Sequence, residues 1–378
     1  MIKNEKFIFH IIIPFYNSKK TLSNCLNSLK NYSNYKDQLK IKFIFVDDGS
    51  TDGSEDIINN FNFGGDLILI KLKKNMGVAY ARNIALKKIK HSDFIFFLDS
   101  DDEVSENLFK YFKRLFCKEG IGVAQERYFY NGEYKETSLY FKEDRIINKK
   151  DIVKYTINYL IKPNEFSMLS YCWGKIYDFN IIKNNNISFD ESLSAFEDAK
   201  FNFAYLLFCK KIKFSTLVIY RYNISPPTQT LSYSLTKSIS SYFGFLDSLD
   251  QTEKFLIHFF KDDKKIERKI KSKVLHSTAA FTCISLVRQC YRWRSLLDCL
   301  LSYPKILNDL FLRFNLKKSF YHYNFKKANG SLTLTFFLQH KLWFFASFLL
   351  YFKYKKDIYY RTSFFKMFLK ILKGNRIN

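Results

Sequence analysis

Punctuation is scarce in this chain, with 5 prolines and 12 glycines in 378 residues. That scarcity excludes a collagen-like or linker-dominated polypeptide. The seven cysteines, at positions 25, 117, 172, 209, 283, 290 and 299, are odd in number and show no CxxC spacing. Neither a disulfide framework nor a thiolate metal site is expected from them. Reduced, mostly buried thiols of a cytoplasmic protein are the simpler expectation. The six histidines do not cluster, and His10 falls inside an apolar run, as a core residue would. Long apolar runs are missing as well. The nearest, 332–352, is broken by Gln339, His340 and Lys341, short of the roughly 18 uninterrupted residues of a membrane span. The N-terminus, MIKNEKFIFHIIIPFYN, lacks a small-residue cleavage site and is expected to form a strand instead of a signal peptide.

Acid is the remaining shortage: 36 Asp and Glu face 61 Lys and Arg, a net charge of +25. With 47% hydrophobic and 19% aromatic residues the core is ample and wholesale disorder is excluded. Such an excess points to an anionic partner, whether nucleic acid, a phospholipid surface or a phosphorylated substrate. A/T-rich coding, which favours Lys, Asn, Ile, Phe and Tyr, accounts for part of the excess but not for its distribution. Residues 1–235 carry 34 Lys and Arg against 27 Asp and Glu, whereas residues 236–378 carry 27 against 9. After Asp309 the single acid is Asp357.

Two domains, or one large domain with an appendage, are expected from the length, and the pattern divides the chain at 1–235 and 236–378. Residues 7–13, 41–46, 67–72 and 94–98 are short apolar runs of buried strands. Between them, 19–31 puts Leu22, Cys25, Leu26 and Leu29 on one helical face, and 77–90 does the same with Val78, Ala81, Ile84, Ala85 and Ile89. Ser54 caps a further helix over 55–62. Alternation of this kind predicts an α/β fold, a Rossmann-like, mostly parallel sheet with helices on both faces. A helix near 105–117, a strand over 214–222 and a helix beginning near Glu197 follow. SPPTQT at 225–230 is the expected domain boundary. Beyond it the chain reads as helical, basic and aromatic, with no internal repeat.

In an open α/β sheet ligands bind beyond the carboxyl ends of the strands, and the polar clusters fall there. Asp99-Ser100-Asp101-Asp102 follows a buried strand, where two carboxylates one residue apart face one hard cation, Mn²⁺ or Mg²⁺. An acidic turn that merely ends a strand is the plain alternative. Asp47-Asp48-Gly49-Ser50 ends another strand, where a carboxylate accepts from a nucleobase N–H or ribose hydroxyl. Asn75, Gly77 and Arg82 open a helix whose backbone N–H groups and guanidinium suit a diphosphate, although Arg82 also fits an ordinary helix surface.

IIIPFYN, FVDDGSTDGS, NMGVAYARN and FIFFLDSDDEV, in this order and spacing, resemble the nucleotide-sugar-binding half of the family 2 inverting glycosyltransferases, which have the GT-A fold. The resemblance is close over about residues 7–110 and looser, through WGK at 173–175 and Glu197-Asp198, to about 235. It implies transfer of a sugar from a nucleoside-diphosphate sugar, usually a UDP-sugar, by a single displacement in which a carboxylate deprotonates the acceptor hydroxyl. Asp99 and Asp101 resemble the DxD pair, with Asp101 the direct metal ligand. Asp48, and after it Asp47, resemble the uracil-binding acid, and Pro14, Tyr16 and Asn17 would line the base and ribose pocket. Glu197-Asp198 resembles the family's acidic pair, with Asp198 as base and Glu197 beside it. Acids at a helix start also simply favour the dipole. Glu143-Asp144 competes for the role but has no helix start or apolar frame.

Trp173 is either an acceptor platform or a core ring between two elements, and Lys175 is within reach of a phosphate. The tail carries Arg288, Arg292 and Arg294 around Trp293, then lysines among aromatics, and residues 363–374 read as a basic amphipathic helix. An anionic membrane surface is the partner this suits. Nucleic acid is not expected, because no recognisable nucleic-acid module is present. A glycan or lipid-linked acceptor, a peripheral position on the inner face of a bacterial plasma membrane, and assembly as a homo-oligomer complete the expectation. The alternatives are a nucleotidyltransferase on a related fold and a non-catalytic basic membrane- or nucleic-acid-binding protein.

Overall fold

The computed structural model describes residues 7–35, 39–61, 66–110, 112–130, 133–136, 141–161, 167–193, 195–223, 239–260, 263–289, 295–313, 316–323 and 332–352. The boundary read at 225–230, Arg292, Trp293, Arg294, Cys290 and the 363–374 helix lie outside these residues.

The first half alternates strand and helix as the pattern requires. β1 (Phe7–Phe15), α1 (Leu22–Leu29), β2 (Leu39–Asp47), α2 (Ser54–Asn59), β3 (Asp66–Lys71), α3 (Val78–Lys88) and β4 (Phe94–Phe97) follow in order. The strands line up β3-β2-β1-β4, all parallel. β1 is buried along most of its length because helices cover both faces, which is why its sequence is an unbroken apolar run. Leu22, Cys25, Leu26 and Leu29 of α1 are buried as the spacing predicts.

Beyond β4 the pairing becomes mixed. β5 (Glu103–Val104), β6 (Gly120–Tyr130), β7 (Glu133–Glu136), β8 (Arg145–Asn148), β9 (Lys175–Asp178) and β10 (Lys211–Asn223) extend the same sheet. β9 runs antiparallel to both β4 and β6, while β10 is parallel to β6 and antiparallel to β5 and β8. The parallel expectation therefore describes the β3-β2-β1-β4 half of the sheet and not the remainder. The helix expected over 105–117 is two short turns, α4 (Asn107–Lys110) and α5 (Phe112–Leu115).

α6 (Lys149–Ile161), α7 (Phe179–Asn184) and α8 (Glu197–Phe208) complete the sheet layer. After it come α9 (Ile239–Phe259), α10 (Lys264–Gln289), α11 (Leu296–Arg313), α12 (Leu316–Tyr321), α13 (Leu332–Gln339) and α14 (343–352). α9 and α10 do not stand apart. Leu249, Phe255, Leu256, Ile270 and Val274 belong to the same core as Phe201, Phe203 and Tyr159 of the sheet domain. Ala279 and Leu286, toward the end of α10, join the last helices in another core, around Tyr303, Leu307, Phe320, Leu338 and Leu350. Among the described residues no helix is long and apolar enough to cross a membrane, and the six described cysteines are all free, five of them buried.

Candidate active site

Because β2, β1 and β4 are adjacent, the loops after them meet at one edge of the sheet. The loop after β1 is laced to the loop after β2. Asn17 N–H donates to Ser50 Oγ at 2.9 Å, and Asn17 Oδ1 accepts from Thr51 N–H at 2.9 Å. Ser18 N–H donates to Ser54 Oγ at 2.8 Å, and Lys19 N–H to Asp52 Oδ2 at 3.0 Å. Asn17 takes a left-handed φ of 48°, one of two such residues at this site. Pro14 is buried inside β1, paired with Val46, while Tyr16 is exposed at the loop. Gly49 is required where it stands: at φ +79° a Cβ would come within 2.6 Å of the Lys74 carbonyl carbon.

The acids after β2 are turned into the protein. Asp48 accepts from the backbone N–H of Met76 at 2.7 Å and of Gly77 at 2.9 Å, which fixes the entry to α3. Burial raises its carboxyl above the usual range against those two donors. Asp47 Oδ1 accepts from Ser50 N–H at 2.7 Å, but its Oδ2 is buried with no hydrogen-bond partner. Asn75 is exposed beside them.

The acids after β4 have three different environments. Asp102 is buried, accepts from Tyr220 Oη at 2.7 Å and Asn223 N–H at 2.8 Å, and is raised well above the carboxylate range by burial, then by Asp101 and Asp99. Asp99 is held by Arg82; burial raises its carboxyl, while Arg82 works the other way. Asp101 is open at the surface of the loop yet hemmed in by protein atoms, so lost hydration, then the Asp99 charge, pushes it up to about 6. Among the described residues no basic side chain pairs with Asp101. Ser100 Oγ and Ser18 Oγ lie 2.8 Å apart, joining this loop to the one after β1.

Arg82 is where the motifs converge. The spacing of α3 puts Val78 and Ile84 inward, but both are only part-buried, and Arg82 and Asn83 are buried instead. Arg82 is 2% exposed. Its Nη2 donates to Asp99 Oδ1 at 2.8 Å, and its Nη1 donates to Asp198 Oδ1 at 2.7 Å and to Glu197 Oε1 at 3.1 Å. Burial opposes its charge, but Asp198, Asp99 and Glu197 hold it protonated. The guanidinium expected to face a diphosphate thus faces three carboxylates. Cys172 N–H donates to Asp198 Oδ2 at 3.2 Å, so both oxygens of Asp198 are oriented. Glu197 is pushed up to about 8, by burial first and then by Asp198, against Arg82.

Phe196, at the start of α8, has a left-handed φ of 66°, the second strained position at the site. The C-terminal helices press on this turn. Phe281 of α10 meets the Phe196 ring edge-on at 6.3 Å, and a Cβ on Gly244 of α9 would come within 2.0 Å of the Ala195 carbonyl oxygen.

Two expected residues lie in the interior. Trp173 is 7% exposed and stacks on Tyr171 at 4.9 Å, Tyr220 at 4.7 Å and Tyr222 at 5.4 Å, so the indole meets tyrosines where an acceptor platform would need open space. Lys175 is buried, donates to Trp173 O at 3.3 Å, and is lowered to about 8, chiefly by burial. Asp144 of the competing pair ties Arg114 to Thr216 N–H, at 2.7 and 2.8 Å. Tyr220 and Asn223, which support Asp102, had no sequence signal; they sit on a strand whose register only the fold supplies.

The model for glycosyl transferase family 2 matches residues 10–174. The minor teichoic acid biosynthesis protein GgaA of Bacillus subtilis (strain 168) is 32% identical over 202 residues, 51% of this chain and 42% of that protein. The poly(ribitol-phosphate) beta-N-acetylglucosaminyltransferase TarS of Staphylococcus aureus (strain MW2) is 30% identical over 213 residues, 52% of this chain and 32% of that protein. The chain spans less than half the length of these relatives. The structure of S. aureus TarS 1–349 in complex with UDP-GlcNAc aligns over 93% of this chain and 92% of that one, with a TM-score of 0.61 and 19% identity. The shared architecture is the GT-A fold. The matched segment carries the Asp47–Asp48 loop, Arg82 and the Asp99–Asp102 loop, and over it the chain is similar to glycosyl transferase family 2.

Proposed function

We propose that this protein is a metal-dependent, inverting glycosyltransferase that moves a sugar from a UDP-sugar to a hydroxyl of a glycan or lipid-linked acceptor in bacterial surface-polysaccharide synthesis. The observation that carries the reading is Arg82, which draws Asp99, Glu197 and Asp198 together from two motifs far apart in sequence. The names of the relatives extend the acceptor class to poly(ribitol-phosphate) and related teichoic acid chains.

Asp198 is the proposed base. Arg82 and the Cys172 N–H fix its orientation, so its carboxylate takes the acceptor proton as the hydroxyl attacks the anomeric carbon from the face opposite the diphosphate. Glu197, with its carboxyl pushed up to about 8, stays protonated at neutral pH beside Asp198. Tyr16, Asn17, Asp47 and Asp48 line the base and ribose pocket, and the unpaired Asp47 Oδ2 is an acceptor available to a donor N–H. Asn75 and the N–H groups at the start of α3, beside Gly77, face the diphosphate.

The donor set at Asp99–Asp102 is all oxygen, and the crowding of like charge there fits a hard divalent cation. Asp101, free of basic partners among the described residues, would hold it, with Asp99 behind; among those residues no three candidate ligands converge. Bound there, the cation supplies charge neutralisation for the leaving diphosphate. The basic region 236–378 is proposed to keep the protein at the inner face of the plasma membrane.

A donor screen with Mn²⁺, reading release of UDP against release of pyrophosphate, tests the reaction class. Asp198→Asn is expected to lower kcat by about 10²- to 10⁴-fold with UDP binding retained, and Asp101→Asn to abolish Mn²⁺-dependent UDP binding. Full turnover by Asp198→Asn would remove it as base, and pyrophosphate release would replace the transferase reading.

A further inference from the structure

The last helices bury one face and expose another of unusual composition. In α13 and α14, Leu334, Leu338, Ala346, Leu350 and Tyr351 are buried in a common core. On the outside, Phe336, Phe344, Phe345, Phe348 and Phe352 are between 40% and 54% exposed. In α14, positions 344, 348 and 352 follow at helical intervals of four, and 345 stands three before 348, so the rings form one face. Ring contacts join them in two groups: Phe344 to Phe345 at 5.8 Å, Phe345 to Phe337 at 5.3 Å and Phe337 to Phe336 at 5.9 Å, and next to these along the helix Phe348 to Phe352 at 4.7 Å. Leu342, between the two helices, is exposed as well. A contiguous aromatic patch of this kind marks an interaction surface, not scattered apolar exposure.

Charge selects the partner. Exposed Lys341 borders the patch within the described residues. Beyond Phe352 the sequence runs on for 26 residues with eight Lys and Arg and one acid, Asp357. Protein interfaces favour aromatic residues but are depleted of lysine. Phenylalanine faces with lysine margins suit the boundary between acyl chains and anionic headgroups, where rings enter the apolar side and ammonium groups meet phosphate. No described helix is long and apolar enough to span a bilayer. We infer that the face formed by Phe336, Phe344, Phe345, Phe348 and Phe352 is the surface by which this protein docks on an anionic phospholipid bilayer. The inference rests on the reading of the C-terminal region as membrane-facing, and not on the identity of the sugar transferred.

Flotation of the full chain with vesicles of phosphatidylglycerol and phosphatidylethanolamine, beside pure phosphatidylcholine, tests it. The wild-type chain is expected to float with the anionic vesicles and not with phosphatidylcholine. Phe344→Ser/Phe348→Ser is expected to lower the bound fraction by about ten-fold or more, while Phe344→Leu/Phe348→Leu keeps most of it. Thermal melting of both variants checks that the exposed substitutions leave the fold in place. No flotation of the wild-type chain overturns the membrane partner altogether. Undiminished flotation of the serine variant overturns the Phe face and leaves attachment to the basic sequence after it. A wild-type dimer that the serine variant disperses would assign the face to a second copy of the chain.

Discussion

Take away the guanidinium of Arg82 and the half-buried Asp99 and Asp198 lose their shared counter-charge, while Glu197 loses a hydrogen-bond donor. Arg82→Gln is therefore expected to cost about 3–5 kcal/mol in urea unfolding, the range for removing one partner of a buried ion pair. Arg82→Lys keeps a charge but not the fork that reaches Asp99 and Asp198 together, so it should recover only part of that loss. Glu197 gives a second test through pH. Its folded-state carboxyl, near 8 against an ordinary 4.5, retains a proton that the unfolded chain releases between those values. The stability it contributes is thus whole below about 4.5 and lost as pH rises through about 8. Glu197→Gln should flatten the decline in Tm across that window, and an unchanged slope would assign the proton elsewhere. The motifs themselves were legible in sequence, because acids after apolar strands stand out. The partner of Arg82 was not. A polar residue on an amphipathic helix reads as outward-facing, and the carboxylate it meets at Glu197 is 115 positions away.

At the scale of elements, β10 supports the acidic loop from behind. Tyr220 donates to Asp102, and its ring stacks on Trp173. Tyr220→Phe keeps the stack but leaves a buried carboxylate oxygen without that donor, a cost of about 1–3 kcal/mol expected as a lowered Tm. A Tm equal to wild type would show that water replaces the hydroxyl. The four parallel strands and their helices were readable because strands buried on both faces give unbroken apolar runs. β6, β7 and β8 were not, since charged residues such as Glu126, Arg127 and Lys135 interrupt them. The face of α3 was misread for the same reason as Arg82: burial of Arg82 and Asn83 depends on partners from other segments, with Asn83 bonded to Phe189 O and Glu191.

Across the whole molecule the charge asymmetry and the packing divide the chain differently. The sharp change of composition lies near 235, but the main core runs on through Phe255 and Val274. Cutting at 235 would uncover the apolar faces on which α9 and α10 pack. A 1–235 fragment is expected to aggregate or melt well below the full chain, whereas a fragment ending after α10 at Gln289 should stay folded. A soluble, cooperatively melting 1–235 fragment would instead support the boundary read from composition.

The contact of Gly244 with Ala195 sets an order in time. A chain is made from its N-terminus at about 5–20 residues per second, so Arg82, Asp99 and Asp198 all emerge before the helix that braces their turn. With Gly244 and Phe281 still unmade, the Ala195–Phe196 turn lacks the packing that α9 and α10 lay against its strained backbone. Arg82, Asp99 and Asp198 are thus made early, and the turn beside Asp198 is expected to reach its final packing only once synthesis has passed α10.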